Sequence, residues 1–362
     1  MFTPKYAITN KILFAVGKIE AAREAIGNAS LVPVWEMKFK EEALIKTIHF
    51  ATHAEGNILS KVAAEKIIRQ DPQRDERANV VAQRAGVSGS EEDVQEVINF
   101  RNAMKYVDQL VRLSESGMRV ALSEKELVQL QSLIVERMVP SNEIGVYRKQ
   151  MVAQKESAID YPQPVEVPYQ IEDFFRWLAG LRTGEMYPVI KAAIVMYELM
   201  RIYPFKSGSM KTARTYAYLS LAIDGYTAKQ LFSFDEYFDK NRESGIKIME
   251  RTENGDYDLT EFIEFFVDGL ASEFVKLKEK VKRLSVDFRH KDGSGKQLAL
   301  TERQIALIEV LELKGEINMA GAREVIPMVS DDTILRDLKV LVGKKLIKKR
   351  GSTKGSRYIL AK

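Results

Sequence analysis

Cysteine is absent from all 362 residues, which excludes disulfides and thiolate metal sites. A reducing compartment is the expectation, with the cytoplasm as the expected location. Histidine is nearly absent: His49, His53 and His290 are the whole complement. A multi-histidine metal centre would need all of them, so no metal site is expected, and the lone His53 reads as structural. No apolar run reaches the roughly 18 to 20 residues that span a bilayer. The opening Met-Phe-Thr-Pro-Lys-Tyr has no secretory apolar core or cleavage site, and no membrane partner is expected. A strong net charge is missing as well, at +4 overall. Its placement says more. Residues 296–362 hold 14 basic and 8 acidic residues, a surplus of 6 that leaves the remainder near −2. What the chain does have is an ordinary globular composition, 45% hydrophobic, at a length that suggests two or three domains.

Apolar spacing points to a mainly α fold. Phe39 to Thr52, Glu91 to Leu113 and Glu124 to Met138 repeat at helical period with few breakers. Gln70 to Glu76 and Val87 to Glu92 read as loops around a short helix. Met186 to Tyr203 is apolar on nearly every side, with Pro188 suited to a first helical position and Pro204 ending the run. A helix of that kind is buried in the centre of a domain. Met210 to Ile223 reads as a second, closed by Gly225. Tyr147 to Tyr169 holds Pro162, Pro164 and Pro168 beside alternating Val165 and Val167, and reads as an extended or hairpin segment. Thr260 to Arg283 is helical again, and Asp287 to Lys296 reads as a linker.

Between the two apolar helices runs Ile-Tyr-Pro-Phe-Lys-Ser-Gly-Ser-Met-Lys-Thr-Ala-Arg, from Ile202 to Arg214. Gly208 and Ser209 stand just before a helix, with Ser209 a candidate N-cap. Free N–H groups and the positive dipole end make such a place a natural anion site. Lys211 and Arg214 lie in the first turn. Two readings stand open on these residues: a phosphate cradle, or a capped helix with two solvated bases.

The same stretch resembles the signature of the Fic family, His-Pro-Phe-x-Asp/Glu-Gly-Asn-Gly-Arg-x-x-Arg, in degenerate form. Pro204, Phe205, Gly208 and Arg214 keep its frame. Tyr203 stands at the catalytic histidine position, Ser207 at the metal-binding carboxylate, Ser209 at the asparagine, Met210 at the second glycine and Lys211 at the first arginine. The likeness extends over Pro188 to Tyr226, over Glu96 to Ala103 and over Gly255-Asp256, Phe262 and Phe265-Phe266. Val146-Tyr147-Arg148 and the prolines after it look like the family's substrate-docking flap. The resemblance implies a helical core with a small β-hairpin flap and a protein partner docked near Tyr147–Tyr169. In active members it implies transfer of AMP from ATP to a protein hydroxyl, with Mg²⁺ on the carboxylate. It implies nucleotide or anion contacts at Ser207, Gly208, Ser209, Lys211 and Arg214.

The departures remove specific parts of that chemistry. A phenol titrates near pH 10 against about 6.5 for histidine, so Tyr203 is a poor general base. Ser207 is a poor Mg²⁺ ligand beside a carboxylate. Lys211 lacks the planar fork that grips phosphate, and Met210 adds bulk where backbone should approach closely. Five departures together point to loss of the reaction. ATP or another nucleotide bound without turnover stays open, and Mg²⁺ is implied only for an active enzyme. Thr52-His-Ala-Glu55-Gly56-Asn57 further resembles the family's inhibitory helix, with Ala51 where the pattern has a hydroxyl. The resemblance gives Glu55 a regulatory pairing with Arg214. The bare residues also read as a helix stop.

The tail has its own pattern. Thr301 to Leu313 is an amphipathic helix with Thr301 as N-cap, Ala320 to Val325 a short helix, and Asp331 to Val342 a third capped by Ser330. Leu346 to Arg350 and Tyr358 to Leu360 are strand-like around a basic turn. Three helices and a basic hairpin resemble a winged helix-turn-helix domain. Thr333, Arg336 and Lys339 on the third helix, and Lys348, Lys349, Arg350, Lys354 and Arg357 on the hairpin, are candidates to contact double-stranded DNA. Asp331, Asp332 and Asp337 would oppose phosphate approach.

These readings divide the chain into an N-terminal helical region with an inhibitory-like helix (1–110), a Fic-like core (111–272), a helix end and linker (273–297) and a winged helix (298–362). The leading reading is a catalytically degenerate DNA-binding regulator. Its rivals are an adenylyltransferase with altered chemistry and a peptide-docking interaction protein. Oligomeric state is open, a homodimer being in keeping with both resemblances.

Overall fold

The structure is a computed structural model, and it describes residues 2–29, 33–152, 159–182, 184–227, 231–285, 300–327, 329–351 and 356–361. It divides into two compact units, one of residues 1–27 and 38–277, the other of 28–37 and 278–362. Among the described residues no helix is long and apolar enough to cross a membrane.

The first unit is helical. In chain order it holds α1 (Asn10–Asn28), α2 (Pro33–His53), α3 (Lys61–Arg69), α4 (Ala78–Ala85), α5 (Glu91–Glu115) and α6 (Glu124–Val135). Then follow α7 (Val167–Gly180), α8 (Pro188–Ile202), α9 (Ser209–Ile223), α10 (Asp235–Lys240), α11 (Arg242–Asn254) and α12 (Thr260–Ser285), with some end residues of α1, α2 and α12 outside it. Its centre is α8, the segment apolar on nearly every side, against α9, with α5 and α6 packed on α9. Tyr197, Tyr216, Phe205, Phe262 and Phe266 are all fully buried there. Each such side chain contributes about 1.5–3 kcal/mol by leaving water. α1 buries the stripe Ile12, Ala15, Ile19, Ala22 and Ile26. Glu20 on its polar edge accepts hydrogen bonds from the hydroxyls of Tyr187 and Tyr226, which ties α1 to the start of α8 and the end of α9.

The second unit carries α13 (Glu302–Lys314), β1 (Glu316–Asn318), α14 (Met319–Val325), α15 (Asp331–Gly343), β2 (Ile347–Arg350) and β3 (Arg357–Leu360). The strands form one antiparallel sheet in the order β1-β3-β2, with Ile317 opposite Tyr358 and Lys349 opposite Tyr358 from the other side. Ile317, Ile347 and Tyr358 turn inward. The side chain of Thr301 accepts from Gln304 N–H in a capping box, as its sequence position predicts.

Several expectations need correction. Val167, Pro168 and Tyr169 are not hairpin but the first turn of α7, because proline at N1 or N2 forfeits no helical hydrogen bond. Among the described residues the flap shows one antiparallel bridge, Tyr147 to Phe205, and no paired strand. Gly208, not Ser209, is the N-cap of α9. Ser330 makes no side-chain cap bond; its hydroxyl meets that of Thr333 at 3.1 Å instead. Strand β1, three residues long, was not anticipated. The linker expected over Asp287–Lys296 lies outside the described residues.

Candidate functional site

The α8–α9 loop is built by backbone geometry. Tyr203 ends α8 in the left-handed region (φ 47°, ψ 63°), its N–H bonding Leu199 O at 3.1 Å. Such a conformation strains any non-glycine residue. Two contacts hold it. The Arg148 guanidinium donates to Tyr203 O at 2.8 Å and to Pro162 O at 2.5 Å, and the Tyr161 ring sits 4.9 Å from that of Tyr203. Arg148 thereby satisfies a carbonyl that a helix end leaves open. Gly208 is fixed twice over: its φ is +72°, and a Cβ there would stand 2.8 Å from Val135 Cγ1. Ser209 is buried and its hydroxyl accepts from Phe205 N–H at 3.0 Å, so it closes the loop on itself instead of capping the helix or facing a ligand. Gln131 Nε2 donates to Ser207 O at 3.3 Å.

The two bases at the start of α9 do not face solvent. Arg214 donates from Nη2 to Glu55 Oε1 (3.1 Å) and to Ala51 O (3.2 Å), and from Nε to Asp235 Oδ1 (3.2 Å). Lys211 Nζ bonds Glu96 and lies 3.4 Å from Glu55 Oε2. Asn57 Nδ2 donates to Glu96 Oε2 at 2.6 Å, so the turn after α2 is pinned from both sides. Lys211, Arg214, Glu96 and Asp235 are all buried. Three carboxylates thus surround two cations, a surplus of one negative charge when all are ionised.

Titration follows from this burial. Desolvation alone would lower the Lys211 ammonium, but Glu55 and Glu96 together hold it above its ordinary value. Burial pushes the Asp235 carboxyl up to about 6, with Arg214 offsetting part of the rise. Burial, then Glu55 and Tyr161, push the Tyr203 phenol up to about 12. At neutral pH that phenol keeps its proton and has no general-base capacity.

Beside this network Met196, Met200, Met210, Met249, Phe262 and Phe265 line an apolar cavity of about 120 Å³, with Glu55 and Arg214 on its wall. Met210 is one of its wall residues. Ser207, at the position where the family implies a Mg²⁺ ligand, offers a neutral hydroxyl, and Glu55 and Asp235 are bound to bases. Among the described residues no group of three or more histidine, aspartate or glutamate side chains is arranged to hold a metal ion. The residues present do not fit Mg²⁺.

In the tail, α15 buries Ile334, Asp337, Leu338 and Leu341. Arg336 and Lys339 are exposed, as are Lys348, Lys349 and Arg350 on β2. Thr333 is half-buried, Arg357 is paired with Glu316, and Lys354 lies outside the described residues. Two of the three opposing acids are neutralised: Asp331 binds Arg323 (Nε at 2.6 Å), and buried Asp337 accepts from Arg303 (2.6 Å) and Gln304 (2.9 Å).

Glu96, Asp235 and Asn57 are the site residues that sequence reasoning missed. Asp235 sits in a helical first turn, where an acid is ordinarily a solvated dipole partner, and Glu96 lies further along α5 among other acids, so no local signal singles either out.

The site is thus a left-handed turn between two buried helices, leading into a glycine-capped helix start. Residues 121–221 match the model of the Fic/DOC family, and the chain contains a domain of that family. Among sequence relatives, "Protein adenylyltransferase Fic" of Drosophila ananassae is 26% identical over 188 residues, and its Drosophila melanogaster counterpart 25%. The match takes in 52% of this chain and 34% of those proteins, so it spans about a third of their length. A crystal structure of a Fic family protein from Desulfovibrio desulfuricans G20 superposes over 99% of this chain and 98% of its own, at TM-score 0.62 and 20% identity. A Fic domain containing signaling protein from Bacteroides thetaiotaomicron VPI-5482 gives TM-score 0.57 at 17% identity, covering 80% of this chain and all of its own.

Proposed function

We propose that this chain is a DNA-binding regulator in which a Fic-fold domain no longer transfers nucleotide and the tail acts as a winged helix. The observation that carries the first half is the pairing of both α9 bases. Lys211 and Arg214, the groups that would meet phosphates, are each held between Glu55 and a buried carboxylate, Glu96 for Lys211 and Asp235 for Arg214. A nucleotide kept without turnover has to swing Glu55 off both bases before its phosphates can enter. The apolar cavity beside them then offers its base a wall of methionine and phenylalanine. The second half rests on the tail. Its basic groups lie exposed on α15 and β2, and its nearby acids Asp331 and Asp337 are bound internally. Recruitment of a protein partner to the exposed Met151, Val165 and Tyr169 of the flap is a subordinate reading.

The relatives named as adenylyltransferases favour the rival activity, AMP transfer. Labelled ATP and Mg²⁺ with the purified full-length protein and a cell lysate separate the two. We expect no covalent label on any acceptor. Label that appears, and disappears with Tyr203→Phe, refutes the proposal. DNA binding is tested by its salt dependence. If Lys339, Lys345, Lys348, Lys349 and Arg350 all meet phosphates, affinity falls roughly 500-fold between 50 and 200 mM salt.

A further inference from the structure

Resting on the reading of the tail as a duplex DNA binder, we propose that Arg336 and Leu335 of α15 read bases, Arg336 a guanine and Leu335 a neighbouring thymine methyl, while the lysines of β2 hold phosphates. The buried face of α15 fixes what its other face presents. With Ile334, Asp337, Leu338 and Leu341 turned inward, the outward stripe is Asp332, Leu335, Arg336, Lys339 and Val340, spaced at helical period. Leu335 and Val340 are 38% and 37% exposed, apolar side chains on a face that is otherwise charged. Arg336 makes no ion pair or hydrogen bond among the described residues, whereas Arg303, Arg323 and Arg357 of the same unit are each bound to a carboxylate. Two guanidinium forks are thus left open among the described residues of this unit, Arg336 on α15 and Arg350 on β2, and only that of Arg336 lies on the helix, next to an exposed leucine.

Charge complementarity selects the occupant. The exposed bases Lys345, Lys348, Lys349 and Arg350 follow α15 directly and continue onto β2. Point charges on a hairpin suit phosphates, which position a protein without reading sequence. A helix laid in the major groove presents its N-terminal half to base edges. Leu335 and Arg336 lie in that half; the lysines lie beyond it. Guanine offers two acceptors, O6 and N7, that match the arginine fork, and thymine offers a methyl group for apolar contact. Asp332, one turn before Arg336, is exposed and disfavours phosphates at that point, where the cytosine amino group is a donor it can accept from. Thr333, the other sequence candidate, is half-buried with its hydroxyl at 3.1 Å from that of Ser330, and it is not part of the reading stripe.

The test is selection from a random duplex library at fixed salt with the full-length protein, repeated for Arg336→Ala, Leu335→Ala and Lys349→Ala. Circular dichroism checks that each variant is folded. Wild type should enrich a site with a guanine beside a thymine. Arg336→Ala should lose about 5- to 150-fold of its guanine preference, the range of one bidentate contact. Leu335→Ala should relax the thymine alone, and Lys349→Ala should weaken every sequence alike. Sites unchanged in both Arg336→Ala and Leu335→Ala overturn the assignment. Salt-dependent wild-type binding with no enriched sequence also overturns it and leaves the DNA reading standing. Absence of any duplex binding by wild type refutes both.

Discussion

Lys211→Met tests the charge network at its most exacting point. The ammonium lies between Glu96 and Glu55, with side-chain exposures of 7% for Lys211, 10% for Glu96 and 23% for Glu55. Methionine keeps the apolar stem and removes the terminal ammonium, with its charge and its hydrogen bond to Glu96. The surplus of one negative charge then becomes two in a buried space. Removing one partner of a buried pair costs about 3–5 kcal/mol, because the other charge is left uncompensated. The Glu55 contact alone, at 3.4 Å, corresponds to about 5 kcal/mol of attraction at an effective dielectric of ~20, before Arg214 opposes it. A loss of about 3 kcal/mol is therefore expected at pH 7, read as a shift of the urea transition by far-UV circular dichroism. Lowering the pH towards 5 should recover part of it, as a carboxyl takes the proton that replaces the ammonium charge. The decisive control is Lys211→Met with Glu96→Gln. The glutamine still accepts from Asn57, both charges are gone, and such double replacements are near neutral. A single variant within about 1 kcal/mol of wild type, or a double variant no better than the single, refutes the account of this network.

The remaining perturbations probe the loop and its surroundings. Asp235 has a folded-state pKa of about 6 against an ordinary 3.8, so its contribution is fully present below about 3.8 and is lost as pH rises to about 6. Stability curves from pH 4 to 7 should show that fall, and Asp235→Asn should flatten it. Glu236 behaves oppositely: Lys240 and Lys46 hold its carboxyl at about 2 against the cost of burial, so its contribution is present above about 4.5 and lost as pH falls towards 2. Glu236→Gln should reduce acid lability in that lower window and leave the higher one alone. Gly208→Ala should cost about 1–3 kcal/mol by thermal or urea unfolding, since φ +72° strains alanine and its Cβ meets Val135. Arg148→Lys should lose much of the flap anchorage, because one ammonium cannot reproduce a fork that reaches both Tyr203 O and Pro162 O. Faster proteolysis between residues 148 and 162 would register it.

The sequence made the scaffold legible where a local rule has one outcome. Proline in the first turn of α8 and again after its end bounds that helix, and a run apolar on every side has nowhere to go but the centre. The Glu55–Arg214 pairing came only through the family likeness; no spacing rule joins residues 159 apart. Tertiary choices stayed hidden. Ser209 stands where an N-cap belongs, yet Gly208 takes the cap geometry and frees the hydroxyl for Phe205 N–H. Pro168 argued against a helix over Tyr147–Tyr169 and in fact begins one. Asp337 looked like a repulsive acid on a DNA-facing helix, but its side chain points into the unit and meets Arg303 and Gln304. In each case the local rule allows more than one outcome, and only the packed chain selects among them.

The degenerate loop is intelligible once its structural and chemical duties are separated. The positions that shape it act through backbone: Gly208 through its φ and the space it leaves beside Val135, Pro204 by ending α8, and Phe205 by filling the core and pairing with Tyr147. None of these roles needs a reacting group. The positions that would act on a phosphoanhydride have taken other partners. Tyr203 packs against the tilted ring of Tyr161, Lys211 binds Glu96, and Ser209 binds the loop's own backbone. A phosphate entering here would have to compete with Glu55 and buried Glu96 for Lys211 and with Glu55 and buried Asp235 for Arg214, in a space that already carries surplus negative charge. That competition is electrostatic and sharpened by burial, so the pairing of these side chains biases the loop against an incoming anion.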